Sequence, residues 1–139
     1  MILAVIGREI LCESTKRVIN VMTDINDHND YYVNVILEEL DIYACVNVIH
    51  SMMDIVEERE NNKTIKLCLN DLHDIINKIE VELSIIKKEI PIHKKKWFYY
   101  VRTPNYYGNV DNVVKYKKIL DKRLELFMNV LRMRCNIYI

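Results

Sequence analysis

The chain has 139 residues, of which 50% are apolar and 29% are charged, and its 20 basic and 20 acidic side chains give a net charge of zero. With two glycines and two prolines it is neither collagen-like nor of low complexity, and its apolar content excludes an intrinsically disordered chain. Length and composition predict one globular domain, residues 1–139, with a single core.

The apolar start of the chain is interrupted by Arg8 and Glu9 and no basic stretch precedes it, so we expect no secretory leader. The longest uncharged stretch, residues 42–53, is shorter than the roughly 20 apolar residues that span a membrane. The four cysteines are scattered without a Cys-x-x-Cys pair, which predicts reduced thiols in a cytoplasmic protein. Two disulfides in a secreted, helical cytokine-like ligand are the alternative.

The first two predicted elements are helices over residues 2–24 and 31–59. The start of the first is rich in β-branched residues, so a short strand over residues 1–7 stays open. The second follows Asp30, a suitable N-cap, and one helix or two abutting helices both fit it. Its apolar positions, spaced as on one helix face, are Val33, Leu37, Leu40, Ala44, Val48, Met52 and Ile55.

The third and fourth predicted helices cover residues 64–90 and 110–137. The third has the most regular pattern, with Asn62 or Thr64 as its cap and Pro91 as its end. Its apolar stripe, in alternating steps of four and three, is Ile65, Leu69, Leu72, Ile76, Ile79, Leu83, Ile86 and Ile90. Together these elements predict an all-α fold, an up-down four-helix bundle with one long connection over residues 91–109.

The net charge of zero conceals a division between the two halves of the chain. Residues 1–62 hold 4 Lys or Arg against 12 Asp or Glu, whereas residues 63–139 hold 16 against 8. One interpretation is that acidic and basic helices lie side by side and offset one another. The other is that the basic half meets an acidic partner, which includes a second copy of the chain.

The connection over residues 91–109 holds half of the aromatic residues of the chain. Within it, three consecutive lysines come directly before the first of these aromatic residues. Structureless loops of this length are uncommon unless they are functional, so this segment is the candidate site. The residues expected to bind a partner are Lys94, Lys95, Lys96, Trp97, Tyr99, Tyr100, Arg102, Tyr106 and Tyr107. The alternative is that Trp97, Phe98 and Val101 fold over the end of the bundle as a lid or a short helix.

No catalytic, metal or cofactor motif accompanies this loop, so we expect no enzymatic activity, no metal and no cofactor. The sequence favours a non-enzymatic protein-protein interaction module, with self-association included, that binds through residues 94–107 and an adjacent helical face, because Trp, Tyr and Arg dominate interface energetics. A bundle that binds nucleic acid through its basic second half is the alternative. The high isoleucine and asparagine content suggests an AT-rich genome, such as that of a large DNA virus, a protist or a bacterium.

Overall fold

The computed structural model describes residues 7–56 and 62–136, and over these ranges the chain is all-α. Five α-helices and a short 3-10 helix follow one another without a strand in the described ranges, which confirms the predicted class. Their bounds are α1 Arg8–Asp27, α2 Tyr31–Leu40, α3 Ile42–Met52, α4 Lys63–Lys94, the 3-10 helix Tyr99–Val101 and α5 Tyr107–Asn136. The predicted start at residue 2, and the strand considered there, fall on residues outside the described ranges.

The second predicted helix is divided into α2 and α3 by Asp41. This residue adopts the left-handed conformation with φ 54° and ψ 40°, which a short polar side chain tolerates better than an apolar one. The break turns a different face of the following helix inward. Ala44, Val48 and Ile55 of the predicted stripe are therefore exposed. The residues of α3 and its end that are buried instead are Ile42, Val46, Ile49, Met53 and Val56.

Helix α4 keeps the predicted stripe but extends beyond its predicted end. All eight stripe positions are buried, and the side chain of Asn62 accepts hydrogen bonds from the amides of Thr64 and Ile65 at 2.9 and 3.2 Å. The prediction that Pro91 ends this helix is wrong, because the helix continues to Lys94. A proline so close to the C-terminus removes one hydrogen bond of the last turns, and the buried side chain of His93 holds the final turn against the protein.

Hydrogen bonds between the helices show the direction in which each one runs. The partners on α1 and α4 advance together, from Arg17 with Glu80 to Asp24 with Lys87, so these two helices are parallel. Partners on α1 and α3, and on α4 and α5, advance in opposite directions, so these pairs are antiparallel. Helix α4 packs against both α1 and α5. Helix α3 packs mainly against α1 and also touches α5, and α2 touches α5.

The core is formed where the apolar faces of these helices meet around α4. Fully buried side chains of α1 and α5, such as Leu11, Val18, Leu120 and Phe127, belong to the same cluster as the stripe of α4. Two ion pairs among the described residues, Arg17 with Glu80 and Asp24 with Lys87, join the two halves of the chain. Asp24 of the acidic half pairs with Lys87 of the basic half at 2.8 Å, in the sense expected from the charge division.

Candidate functional site

The segment from Lys94 to Tyr107, here called the aromatic-basic loop, joins α4 to α5 at one end of the molecule. The alternative interpretation was that Trp97, Phe98 and Val101 fold over the end of the bundle as a lid or a short helix. The loop does contain a short helix, Tyr99–Val101, but these side chains are not buried. Trp97 is 81% exposed, Phe98 59% and Val101 72%. The expectation that these three side chains cover the end of the bundle is therefore wrong.

Phe98 is held in an unfavourable backbone conformation. Its φ of 56° and ψ of 38° lie in the left-handed region, which a bulky aromatic residue rarely adopts. The conformation costs roughly 1 to 2 kcal/mol, because the β-carbon crowds the following carbonyl group. The Phe98 carbonyl accepts the amide hydrogen bond of Val101 at 3.0 Å, which starts the 3-10 helix. The fold thus maintains a strained residue whose ring gains little burial in return.

The exposed rings of the loop contact one another in sequence. Ring centroids are 6.2 Å apart for Trp97 and Phe98, 6.3 Å for Phe98 and Tyr100, and 5.8 Å for Tyr99 and Tyr100. The contacts are tilted or edge-on, which are favourable arrangements for aromatic pairs. We call Trp97, Phe98, Tyr99, Tyr100 and Val101 the outer aromatic cluster. It is a continuous apolar surface that faces solvent.

Behind the cluster, His93 holds the loop to the end of α4. Its Nε2 donates to the Tyr99 carbonyl oxygen at 3.0 Å, since a carbonyl group can only accept. The imidazole lies edge-on to the rings of Tyr99 and Tyr106, with centroids 6.2 and 6.0 Å away. The His93 side chain therefore fixes the 3-10 helix relative to the start of α5.

Tyr106 anchors the other end of the loop from within the core. It is 1% exposed, and its hydroxyl group donates to the carboxylate of Asp30. The other carboxylate oxygen of Asp30 accepts the Val33 amide at 3.1 Å and thereby caps α2. Burial, together with the hydrogen bond and negative charge of Asp30, raises the pKa of Tyr106. Tyr106 was expected to bind a partner, but its ring is out of reach of one and its role is to hold the loop in place.

Three of the four cations in the loop are free to meet a partner. Lys94 donates through Nζ to the His28 carbonyl oxygen and so contributes to anchoring. Lys95, Lys96 and Arg102 are exposed and have no ion-pair partner within residues 7–56 and 62–136. The outer aromatic cluster is thus flanked by positive charge on both sides along the chain.

Sequence reasoning placed these cations and most of the rings in one site, but it missed three contributors. Phe98 and Val101 were left out of the predicted site, and only the alternative interpretation placed them, in a lid; both belong to the exposed surface. Tyr32, from α2, lies beside Tyr107 with ring centroids 4.4 Å apart. The N-terminus of α2 therefore adjoins the loop, which no local sequence signal could have shown because the two segments are far apart in the chain.

A serine and a histidine also meet inside the molecule, between α1 and α4. Ser14 Oγ lies 3.0 Å from His73 Nδ1, and Asn77 Nδ2 lies 2.9 Å from His73 Nε2. Asn77 donates to Nε2, so Nδ1 carries the proton and donates to Ser14, whose own hydroxyl group donates to the Ile10 carbonyl oxygen at 3.0 Å. Ser14 is fully buried. The pair therefore connects α1 to α4 inside the molecule.

Two features are absent from residues 7–56 and 62–136. No helix in these ranges is both long and apolar enough to cross a membrane. No three side chains among their His, Cys, Asp and Glu residues come together as metal ligands would. Cys12, Cys45 and Cys68 are free thiols, and burial raises the pKa of each.

Comparisons with known proteins give one informative similarity. No family model and no solved structure matches the chain. An uncharacterized protein of Acanthamoeba polyphaga mimivirus is 35% identical over 66 residues, which are 48% of this chain and 32% of the viral protein. The similar region thus spans about a third of the length of that relative. A virus was one of the sources expected from the composition, and this relative is viral.

Proposed function

We propose that the chain is a non-enzymatic helical module that binds a protein partner through the outer aromatic cluster and the flanking cations. The observation that carries the proposal is the exposed aromatic surface built around the left-handed residue Phe98. A fold maintains backbone strain of this kind where the strained residue serves a function, because packing alone does not require it. The cluster and its cations form the binding surface.

The residue types of this surface are those that dominate protein interfaces. Burying a tryptophan as exposed as Trp97 contributes roughly 3 to 5 kcal/mol, before the costs of association. Arg102 and the lysines supply charge at the rim, where it increases association rates and selects acidic partners. A few such aromatic residues are enough to give most of the affinity of a small interface.

The surface is also ordered before a partner arrives. Tyr106 is hydrogen-bonded to Asp30 at one end of the loop. His93 is hydrogen-bonded to the Tyr99 carbonyl oxygen at the other end. A loop held at both ends loses less conformational entropy on binding than a free one. The anchors therefore favour binding by a surface that keeps its shape.

Site-specific photocrosslinking tests the proposal directly. A photoreactive phenylalanine analogue is placed at Tyr100, and in a control protein at Val81, which is also exposed, on α4. In cells that express the chain, we expect protein adducts at position 100 that are absent at position 81 and are lost in the Trp97→Ala background. Identical adduct patterns at both positions would contradict the proposal.

The nucleic-acid alternative is decided by a separate titration. Labelled single-stranded and duplex oligonucleotides are titrated with the purified protein at low and high salt. Tight binding that falls steeply with salt and disappears when Lys94, Lys95 and Lys96 become Glu would replace the protein partner with nucleic acid. Absence of binding at low salt supports the protein-binding proposal.

A further inference from the structure

A second surface, which includes part of α2, has features complementary to the loop. A groove of about 390 Å³ lies between α1, α2 and the first residues of α3. Met22, Leu37 and Tyr43 supply its apolar lining, and Glu38 and Asp41 supply negative charge. Its volume is at the lower end of the range of about 300 to 1,000 Å³ that encloses a small ligand, so it fits one aromatic side chain rather than a helix.

The two acidic side chains of the groove are available to a partner. Glu38 and Asp41 are exposed, and neither has an ion-pair partner in the part of the chain that the structure describes. The left-handed turn at Asp41 places its carboxylate where α2 ends and α3 begins, beside the half-exposed ring of Tyr43. The groove thus combines an apolar lining with an anionic rim.

We infer that this groove binds the aromatic-basic loop of a second copy of the chain. Trp97 of one copy occupies the groove of the other, and Lys95 and Lys96 face Glu38 and Asp41. The inference rests on the proposed function, because it uses the same loop, and it names the partner. The loop belongs to the basic half of the chain and the groove to the acidic half. Self-association through these two surfaces therefore brings opposite charges together, although the chain as a whole is neutral.

Charge complementarity is the argument for a second copy as the occupant. Among residues 7–56 and 62–136, the loop has an exposed ring beside cations without an ion-pair partner, and the groove has an apolar lining beside anions without one. Each copy carries one of each surface, so two copies either close a symmetric dimer or associate head to tail. Both loops meet a groove in a symmetric dimer, whereas a head-to-tail assembly leaves one loop and one groove free at its ends. In both cases association weakens as salt screens the charges.

Charge reversal on each surface provides the test, with the full chain throughout. One variant carries Lys95→Glu and Lys96→Glu in the loop, and the other carries Glu38→Lys and Asp41→Lys in the groove. Sedimentation velocity from about 1 to 100 µM measures association, the range in which an interface of modest size is populated. Thermal melts establish that both variants are folded. A control variant reverses Lys118 and Lys122, which are exposed on α5.

We expect the wild type and the control to associate, and each surface variant alone to associate at least tenfold more weakly. A mixture of the two variants is expected to recover association. The acidic loop of the first then meets the basic groove of the second, and the two unaltered surfaces also meet. Trp97→Ala is expected to abolish association in every combination.

Two results would overturn the inference. The first is a wild-type protein that stays monomeric throughout the concentration range. The second is association that survives both charge reversals, since another face would then form the contact. Neither result removes the proposed function, because photocrosslinking at Tyr100 to a different protein would still support it. Loss of all protein adducts at that position would remove both.

Discussion

The bond between Tyr106 and Asp30 offers the sharpest test of how the loop is held. Replacing Tyr106 with Phe removes only the hydroxyl group and leaves the buried ring in place. Asp30 then loses a charged hydrogen bond in a partly buried position, while it keeps its bond to the Val33 amide. The perturbation therefore separates anchoring of the loop from packing of the core.

The expected cost follows from the environment of the carboxylate. A hydrogen bond to a charged group contributes about 1.5 to 3 kcal/mol, and partial hydration of Asp30 in the variant recovers some of it. We expect the free energy of unfolding to fall by about 1 to 2 kcal/mol. For a domain of this length, 1 kcal/mol shifts Tm by about 3.5 °C, so the melting temperature should fall by about 3 to 7 °C.

Urea denaturation and thermal melts measure this change, and a double-mutant cycle with Asp30→Ala assigns it to the pair. Tyr116→Phe is the matched control, since Tyr116 is partly buried and no hydrogen bond of its hydroxyl group occurs among the described residues. The free energy of unfolding of the Tyr116→Phe variant should fall by less than about 0.5 kcal/mol. A Tyr106→Phe variant as stable as the wild type, or a coupling energy of zero with Asp30, would refute the anchoring role.

Three further predictions concern the contact between Ser14 and His73, the loop and the core. Burial lowers the pKa of His73, so the unfolded chain binds a proton more readily than the folded one. The free energy of unfolding should therefore fall as the pH drops below about 6.5. Denaturation curves from pH 5 to 8 measure this dependence, which His73→Gln should flatten. Phe98→Gly should raise the free energy of unfolding by up to about 1 kcal/mol, because glycine adopts a positive φ without strain. The same variant should weaken binding in the crosslinking assay. A loss of stability would contradict the assigned strain. Phe127→Ala should lower the free energy of unfolding by about 3 to 5 kcal/mol. Leu126→Ala, on the exposed face of the same helix, should lower it by less than about 1 kcal/mol. Equal losses in thermal melts would contradict the assigned faces.

The parts of the fold that could be predicted are those governed by helical periodicity. The stripe of α4 and its Asn62 cap follow from local sequence, because burial repeats with the helical period. The break at Asp41 carries no glycine or proline signal and depends on how α2 and α3 pack against other helices. The extension of α4 beyond Pro91 has a similar cause, since tertiary contacts of His93 outweigh one missing hydrogen bond.

The candidate site could be located from composition, but its geometry could not be predicted. Consecutive lysines and rings in one long connection identified the segment. Whether a ring in it faces solvent or the core depends on distant partners. Tyr106 is buried and donates its hydrogen bond to the distant Asp30, whereas Trp97 is exposed. The groove beside Asp41 was not predictable, because it exists only once α1, α2 and α3 are assembled.

The parallel contact between α1 and α4 has a consequence for the order in which the protein folds. Helices α4 and α5 are neighbours in the chain and form an antiparallel hairpin, whose closure costs little entropy. The contacts between Arg17 and Glu80 join residues 63 positions apart, so they must await a much larger loop closure. We therefore expect the hairpin of α4 and α5 to form early and α1 to dock late. In native-state hydrogen exchange, the amides of α1 should then open at lower free energy than those of α4, which makes the seam at Ser14 and His73 the first part of the core to admit water.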